Sequence, residues 1–438
     1  MKKKNLQKII IILFWITVWF LAAKAVDNSI LLVTPSQALG ELFTMLGNAE
    51  FYSSIGHSLL RIGSGFSVGF ITAVILASLS SRFTLLEELL SPMMTLLKAI
   101  PVASFVVLLL IWWGSSFLAV AVCFLVVLPN IYINTLEGLK NTDKQLLQMA
   151  QVFHMPIKNR LFYIYRPSLE PFLYSGMKVS LGMCWKSGVA AEVIGTPDHS
   201  IGEGLYLSKI YLNTAGVFAW TAAVILLSVL FEKLILWLAH RFFMWEPACA
   251  GAMKRGNLSG GTREEGKDRL TVSHICKSFG NQQVLSDFCA VYQAGETFVL
   301  NGPSGSGKTT LLHILAGLLR PDSGSVESTG NYSMVFQEDR LCLDYSAVKN
   351  VELITGDATR AEKALGRLLE QSALHKPCRE LSGGMKRRVA LVRAMEAESD
   401  YILLDEPFTG LDSRSRDLAE EYIRERQRGR TVIIVTHI

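Results

Sequence analysis

The segment G-P-S-G-S-G-K-T, Gly302–Thr309, has the residue types and spacing of a phosphate-binding loop. Its glycines let backbone N–H groups approach an anion closely, and a helix starting at its end adds partial positive charge. In that arrangement Lys308 reaches the outer phosphates and Thr309 offers its hydroxyl to Mg2+. A second centre is Y-I-L-L-D-E-P, Tyr401–Pro407. Four apolar residues there predict a buried strand that delivers Asp405 as a Mg2+ ligand. Glu406, next along, is placed to polarise water as a general base. A third is E-L-S-G-G-M, Glu380–Met385, where Ser382, Gly383 and Gly384 open a basic amphipathic run. The N-terminus of such a helix is an anion site. Nearly the same letters occur at Asn257–Thr262, N-L-S-G-G-T, with no apolar strand before them and no helix-forming run after. Only the second copy has a context that would hold its amides in place.

These groups need rigid supports. From Leu270 onward strand and helix patterns alternate, with a strand at Thr297–Leu300 feeding the phosphate loop and an amphipathic helix leaving it. Before this lies a Gly-, charge- and small-residue-rich stretch without periodicity, read as a linker over 246–269. Upstream the composition changes. Residues 1–245 hold 18 Lys+Arg and 12 Asp+Glu, against 25 and 26 in the remainder. The net charge of +5 therefore arises in the first part, which indicates a membrane surface and no nucleic-acid partner.

A bilayer crossing takes about 20 mostly apolar residues. Six stretches qualify, at about 8–26, 58–80, 86–111, 115–136, 170–194 and 215–240. Lys2, Lys3 and Lys4 precede the first, no Lys or Arg lies between Ala25 and Leu60, and Lys140, Lys144, Lys158, Arg160 and Arg166 occupy the 137–169 loop. By the positive-inside rule the N-terminus and that loop are cytoplasmic, and six crossings leave the charged domain there too. The first stretch reads as a retained anchor and not as a cleaved signal peptide. Seven cysteines, Cys123, Cys184, Cys249, Cys276, Cys289, Cys342 and Cys378, form no C-x-x-C pair and read as small apolar fillers in a reduced compartment.

The order of motifs over 270–438 resembles the ATPase of ABC transporters. That resemblance implies an α/β P-loop domain using ATP and Mg2+. Gly302, Pro303, Ser304, Gly305, Ser306, Gly307, Lys308, Thr309 and Thr310 would hold the phosphates, and Phe279 in K-S-F-G would stack on adenine. Gln337 in V-F-Q-E-D-R would sense Mg2+ and the membrane domain. Thr309, Gln337 and Asp405 are then the metal residues. Glu406, Gln337 and His437 are the catalytic ones, His437 contacting the γ-phosphate. Ser382, Gly383 and Gly384 form the signature, with Asp412 in the following G-L-D. In the family one subunit's signature closes on another's phosphate loop, so a second copy or a homologous half-transporter is implied. Met385 stands where glutamine is commonest. The chain ends one residue after His437, so the ATPase domain is expected to be short or truncated.

The 137–169 loop resembles the coupling loop of binding-protein-dependent importers, with Gln148, Met149, Ala150 and His154 at positions usually held by E-A-A and, later, Gly. Residues 55–247 are similar to permeases of the nitrate, sulfonate, taurine and bicarbonate group. Together these imply a six-helix all-α membrane domain (1–245) fused to an α/β P-loop ATPase (270–438) in the plasma membrane. Such a protein would import a small anion delivered by an extracytoplasmic solute-binding protein. The alternative class is an exporter half-transporter or a membrane-anchored regulatory ATPase. Lys186 and Glu192 fall in the fifth apolar stretch. At 100° per residue they lie about 120° apart, so each is expected to find a structural partner elsewhere in the bundle.

Overall fold

A computed structural model describes residues 2–245, 269–303, 305–328 and 330–436. The linker, Ser304 and His437 lie outside the described residues. The chain divides into two compact units, one of Met1–Asn141 with Ser168–Trp245 and one joining Thr142–Pro167 to the C-terminal region. Residues 142–167 thus belong by packing with the C-terminal region and not with the helices on either side of them in sequence.

The first unit is helical: α1 (Lys2–Val26), α2 (Pro35–Leu46), α3 (Ala49–Arg82), α4 (Thr84–Ala99) and α5 (Val102–Lys140). The second unit then takes α6 (Lys144–Val152) and α7 (Ile157–Arg160), and α8 (Arg166–Gly195), α9 (Ile201–Ile210) and α10 (Thr214–Met244) complete the helical series. Among the described residues four helices are long and apolar enough to cross a membrane: α1, α3, α5 and α10. The expected six crossings differ from this in two places. The 86–111 stretch is broken, because α4 ends at Ala99 and Pro101 precedes the start of α5. A further break falls at Gly114, whose φ of 71° and ψ of −177° are open to glycine without a Cβ clash. The 170–194 stretch is one helix, α8, but its charged residues keep it outside the apolar set.

Small residues set the tightest helix contact. Gly65, Gly69, Ala73 and Ala77 recur every fourth residue on the buried face of α3. A Cβ added at Gly65 would stand 2.6 Å from the Val120 carbonyl of α5. This small-residue stripe brings two backbones close where lipid-like surroundings give no hydrophobic drive to pack.

The C-terminal region contains β1 (Leu270–Phe279), β2 (Gln282–Tyr292), β3 (Thr297–Asn301), α11 (Lys308–Leu315), β4 (Ser323–Glu327) and β5 (Tyr332–Val335). After them come α12 (Ala347–Thr355), α13 (Ala358–Leu365), α14 (Gln371–Leu374), α15 (Gly383–Glu396), β6 (Tyr401–Asp405), α16 (Ser413–Arg426) and β7 (Thr431–Thr436). One sheet is antiparallel in the order β2-β1-β4; the other is parallel in the order β3-β7-β6-β5. All five residues of β6 are buried, which is why its sequence reads as an unbroken apolar run. Because β3, β7, β6 and β5 run in one direction, the loops leaving them meet at one edge. The chain after β3, the last residue of β6 and the segment after β5 are thereby gathered, as ligand sites of open α/β sheets require.

Residues of the 142–167 stretch are part of this unit's core. Met149, Ala150, Val152, Phe153, Met155, Tyr163 and Ile164 are buried in the same apolar cluster as β5, β6 and α15. Ala150 lies inside α6, fully buried. The turn comes at His154, whose φ of 47° is the conformation a glycine would adopt more cheaply.

Candidate functional site

Two glycines give the phosphate loop its shape. Gly305 and Gly307 have φ of 82° and 85°, and a Cβ at Gly307 would meet the Val284 carbonyl at 2.8 Å. Helix α11 starts directly after Gly307, so its unpaired N–H groups face the loop. The Lys308 ammonium donates to the Gly302 carbonyl at 2.7 Å, the Pro303 carbonyl at 2.9 Å and Ser306 Oγ at 3.2 Å. These contacts hold the cation at the loop itself.

An open cleft of about 350 Å³ is lined by Phe279, Gly305, Ser306, Gly307, Lys308, Thr309, Thr310, Gln337 and Glu406. The Phe279 ring is 51% exposed, with the Lys277 ammonium 5.7 Å from its centre. Exposure of a large ring beside a polar cleft leaves its face free to stack.

Asp405 is fully buried, and neither carboxylate oxygen has a hydrogen-bond partner of good geometry among the described residues. Burial pushes its pKa up, the facing Thr309 hydroxyl opposes the shift, and the neighbouring Glu406 charge adds to it. Asp405 does not itself line the cleft, but its carboxylate faces the Thr309 hydroxyl, which lines it together with Gln337; the three are a hard oxygen donor set of the kind Mg2+ takes. The residues present therefore fit that ion.

Glu406 is held in a left-handed conformation, φ 47°, by a hydrogen bond from its amide to the Val435 carbonyl at 3.0 Å. Its Oε2 accepts from the Thr409 hydroxyl at 3.1 Å. Strained backbone of this sort persists only where surrounding contacts over-determine it, and here it turns the carboxylate into the cleft.

The signature residues lie elsewhere. Ser382 caps α15, its Oγ accepting from the Met385 amide at 3.3 Å. Ser382 and Gly383 are exposed, Gly384 is half-buried against the Gly410 carbonyl, and none of the three lines the cleft. Asp412 is likewise exposed and caps α16; hydrogen bonds from the Ser415 hydroxyl and from the Ser415 amide, the latter at 2.8 Å, keep its pKa low.

Sequence reasoning missed Arg387. On the expected amphipathic helix it should be solvated, yet it is buried in α15. Its Nη1 donates to the carbonyls of Phe336 (2.5 Å) and Gln337 (3.2 Å) and lies 3.3 Å from Asp339 Oδ1. Its Nη2 donates to the carbonyls of Asp405 (2.7 Å) and Glu406 (2.5 Å). One planar fork thus ties the Gln337 segment to the Asp405–Glu406 segment. Arg393, also buried, bonds the carbonyls of Arg340 and Asp339, and burial pulls its pKa down to about 10. The signal available was α15's run of Val389–Met395, too apolar all round for a solvated helix.

The stretch after Gln337 also meets residues of 142–167. Arg340 Nη1 donates to Gln148 Oε1 at 2.9 Å, Asn159 Nδ2 to the Leu353 carbonyl at 3.1 Å, and Tyr163 packs edge-on to Tyr345 at 5.0 Å.

Fold and cleft together define a P-loop ATPase joined to a helical membrane domain. Comparison with known families matches residues 286–409 to "ABC transporter" and residues 65–244 to "Binding-protein-dependent transport system inner membrane component". An aliphatic sulfonates import ATP-binding protein of Rhodococcus jostii (strain RHA1) is 40% identical over 184 residues, 39% of this chain and 73% of that protein. A taurine import ATP-binding protein of Pseudomonas aeruginosa (strain UCBPP-PA14) is 36% identical over 191 residues, 39% of this chain and 73% of that protein. A Nod factor export ATP-binding protein of Burkholderia lata is 38% identical over 189 residues, 38% of this chain and 62% of that protein. The chain belongs to the ABC transporter family, with a permease domain of the binding-protein-dependent type fused to an ATPase that couples ATP hydrolysis to transport.

Proposed function

We propose that two such chains, or one with a homologous half-transporter, form a plasma-membrane importer for a small anion such as a sulfonate, taurine, nitrate or bicarbonate. The ATPase units face the cytoplasm, where the Lys- and Arg-bearing loops also lie. An extracytoplasmic solute-binding protein delivers the solute.

The observation that carries this reading is the burial of Met149, Ala150, Val152, Phe153, Met155, Tyr163 and Ile164 in the core of the ATPase unit, with Gln148 bonded to Arg340. A segment of the permease stretch that is built into the nucleotide unit gives hydrolysis a mechanical outlet. Dimerisation is supported by the exposed Ser382 and Gly383, which stand apart from their own chain's cleft. The import direction rests on the binding-protein-dependent match and on the sulfonate and taurine relatives. The Nod factor relative shows that likeness of the ATPase alone does not separate import from export.

In the working site Lys308 exchanges its loop carbonyls for phosphate oxygens, and Gly305, Ser306 and Gly307 present their amides with Gly302, Pro303, Ser304 and Thr310 completing the cradle. Thr309, Asp405 and Gln337 hold Mg2+, which when bound offsets the charge of the outer phosphates. Glu406 accepts the proton of the attacking water, and His437 contacts the γ-phosphate. A partner's Ser382, Gly383, Gly384 and Asp412 close the opposite side.

The test is ATPase rate and solute uptake in proteoliposomes, with and without candidate binding proteins, for the parent and Gln148→Ala. This substitution removes the bond from Arg340 without placing a charge in the core of the ATPase unit. Basal hydrolysis should persist in that variant while stimulation and uptake are lost. Full-rate uptake without any binding protein would sink the importer reading.

A further inference from the structure

We propose that the antiparallel sheet carries a binding site for a divalent transition-metal ion of the Zn2+ type, formed by His274, Asp287 and Cys289. Ligand atoms of these three residues all lie within 4.8 Å of one another. Metal bonds of about 2.0–2.3 Å in a tetrahedron put ligand atoms about 3.3–3.8 Å apart. His274 Nδ1 and Asp287 Oδ1, 2.6 Å apart, exchange their mutual hydrogen bond for the ion and part by about 1 Å, a small side-chain rotation.

The backbone is irregular where it must be. The β1–β2 ladder shifts register on both sides of Ile275, and His274 and Asp287 sit in left-handed conformations, φ 52° and 49°. Neither residue is a glycine, so two such positions facing each other across one hairpin are unusual. Bulges re-aim side chains, and these two bring His274 Nδ1 within 2.6 Å of Asp287 Oδ1. The sulfurs are aimed at the same pair. Cys289 Sγ accepts from the His274 amide at 3.2 Å, and Cys276 Sγ accepts from the Asp287 amide at 3.3 Å. Backbone N–H groups bonded to sulfur also orient it for ligation.

The donor types select the ion. One imidazole, one carboxylate and one thiolate suit Zn2+ and its neighbours, whereas Mg2+ prefers oxygen alone. The site is chemically distinct from the Asp405 centre. The His274 and Asp287 side chains are 74% and 70% exposed, so an ion enters directly from solvent and keeps a water-accessible position. Reading all cysteines as apolar filler was therefore incomplete: Cys289 is exposed and Cys276 half-buried, while Cys123, Cys184, Cys342 and Cys378 are buried. A bound ion would staple β1 to β2, and β1 ends at Phe279 in the nucleotide cleft.

The experiment uses the full chain in detergent, reduced and chelator-treated, titrated with Co2+ alone. One equivalent should develop thiolate-to-cobalt charge-transfer absorption and the strong visible bands of a tetrahedral site, and Zn2+ should abolish both. Cys289→Ser and His274→Ala should each remove the charge-transfer band. Asp287→Asn, which preserves shape, should weaken Co2+ binding at least several-fold. Unchanged ATP binding in all three reports that they are folded. Absence of the charge-transfer band in the parent, or its survival in Cys289→Ser and His274→Ala, overturns the site.

Discussion

Asp405 and Glu192 are both fully buried carboxylates, one at the end of a sheet strand and one in the helical unit, and they are treated oppositely. Glu192 is provided for. Its Oε2 accepts from Ser58 Oγ at 2.6 Å and from the Gly202 amide at 3.4 Å, and its Oε1 faces Arg61 Nη1 at 3.8 Å. The same Ser58 oxygen accepts from the Ile201 amide, so α3, α8 and α9 are tied through one acid. The expectation of a structural partner for Glu192 elsewhere in the bundle is met by Arg61 and Ser58; Lys186 points to the exposed side of α8. Asp405 has its backbone carbonyl fixed by Arg387, but its carboxylate has no charged partner among the described residues and faces only the Thr309 hydroxyl. Glu192 binds two donors through Oε2 and leaves only Oε1 without a hydrogen bond, so it ties helices together. Asp405, with a single weakly engaged neighbour, keeps its oxygens for something that arrives.

Replacing each acid by its amide should separate the two cases, and the largest effect belongs to Asp405→Asn. Loss of the anionic metal ligand should lower Mg2+-dependent hydrolysis by about 10²-fold or more, on the scale of removing a key electrostatic group. Stability should move the other way. Because burial raises the Asp405 pKa, the ionised form is the one the fold disfavours. The protonated carboxyl's contribution is complete below the ordinary aspartate range and disappears as pH rises through the elevated pKa. In Mg2+-free, nucleotide-free buffer at neutral pH the amide should therefore raise the melting temperature. The gain should vanish in acid, where the parent is already neutral. A variant less stable than the parent at neutral pH would mean that Asp405 is satisfied after all.

Arg387→Lys should come second. A lysine cannot span the Phe336 and Gln337 carbonyls and the Asp405 and Glu406 carbonyls with one rigid fork. ATP binding, which depends on the phosphate loop, should be retained while turnover falls on the order of tenfold, since Glu406 and Gln337 lose their common anchor. Arg387→Ala should also destabilise, because each buried acceptor left unpaired costs about 1–3 kcal/mol. Turnover and binding that fall together would indicate general damage and not mispositioning.

The contrast also marks what the chain's sequence discloses. Asp405, Glu406, Lys308 and Thr309 sit in short contiguous motifs whose spacing reflects a local strand-loop-helix geometry, so they can be read in line. Arg387 acts on carbonyls roughly 50 and 20 positions away, and an arginine in a basic helix gives no local sign of facing inward. Ser58 and Glu192 are 134 residues apart, and nothing in either neighbourhood names the other. The helix boundaries near Ala99 and Gly114 were blurred for a different reason: apolarity measures a segment's solvent, not where its backbone turns. The two left-handed residues opposite each other in β1 and β2 were invisible because bulges leave the strand composition unchanged.

Glu192→Gln should have the smallest effect. The amide oxygen can still accept from Ser58 and Gly202, so the ties among α3, α8 and α9 survive. What is lost is an ion pair with a long 3.8 Å separation, and Arg61 also donates to the Asp198 carbonyl at 3.1 Å. An ion pair so weakly engaged contributes about 1 kcal/mol or less. Basal hydrolysis should stay at the parent rate and the detergent melting temperature should drop by a few degrees at most. Glu192→Leu removes the acceptor altogether and strands the Ser58 hydroxyl in a buried position, so it should melt clearly lower than Glu192→Gln while hydrolysing ATP at the same basal rate. Transport that fails in Glu192→Gln with an unchanged melting temperature would place Glu192 on the solute path and end the structural reading of this acid.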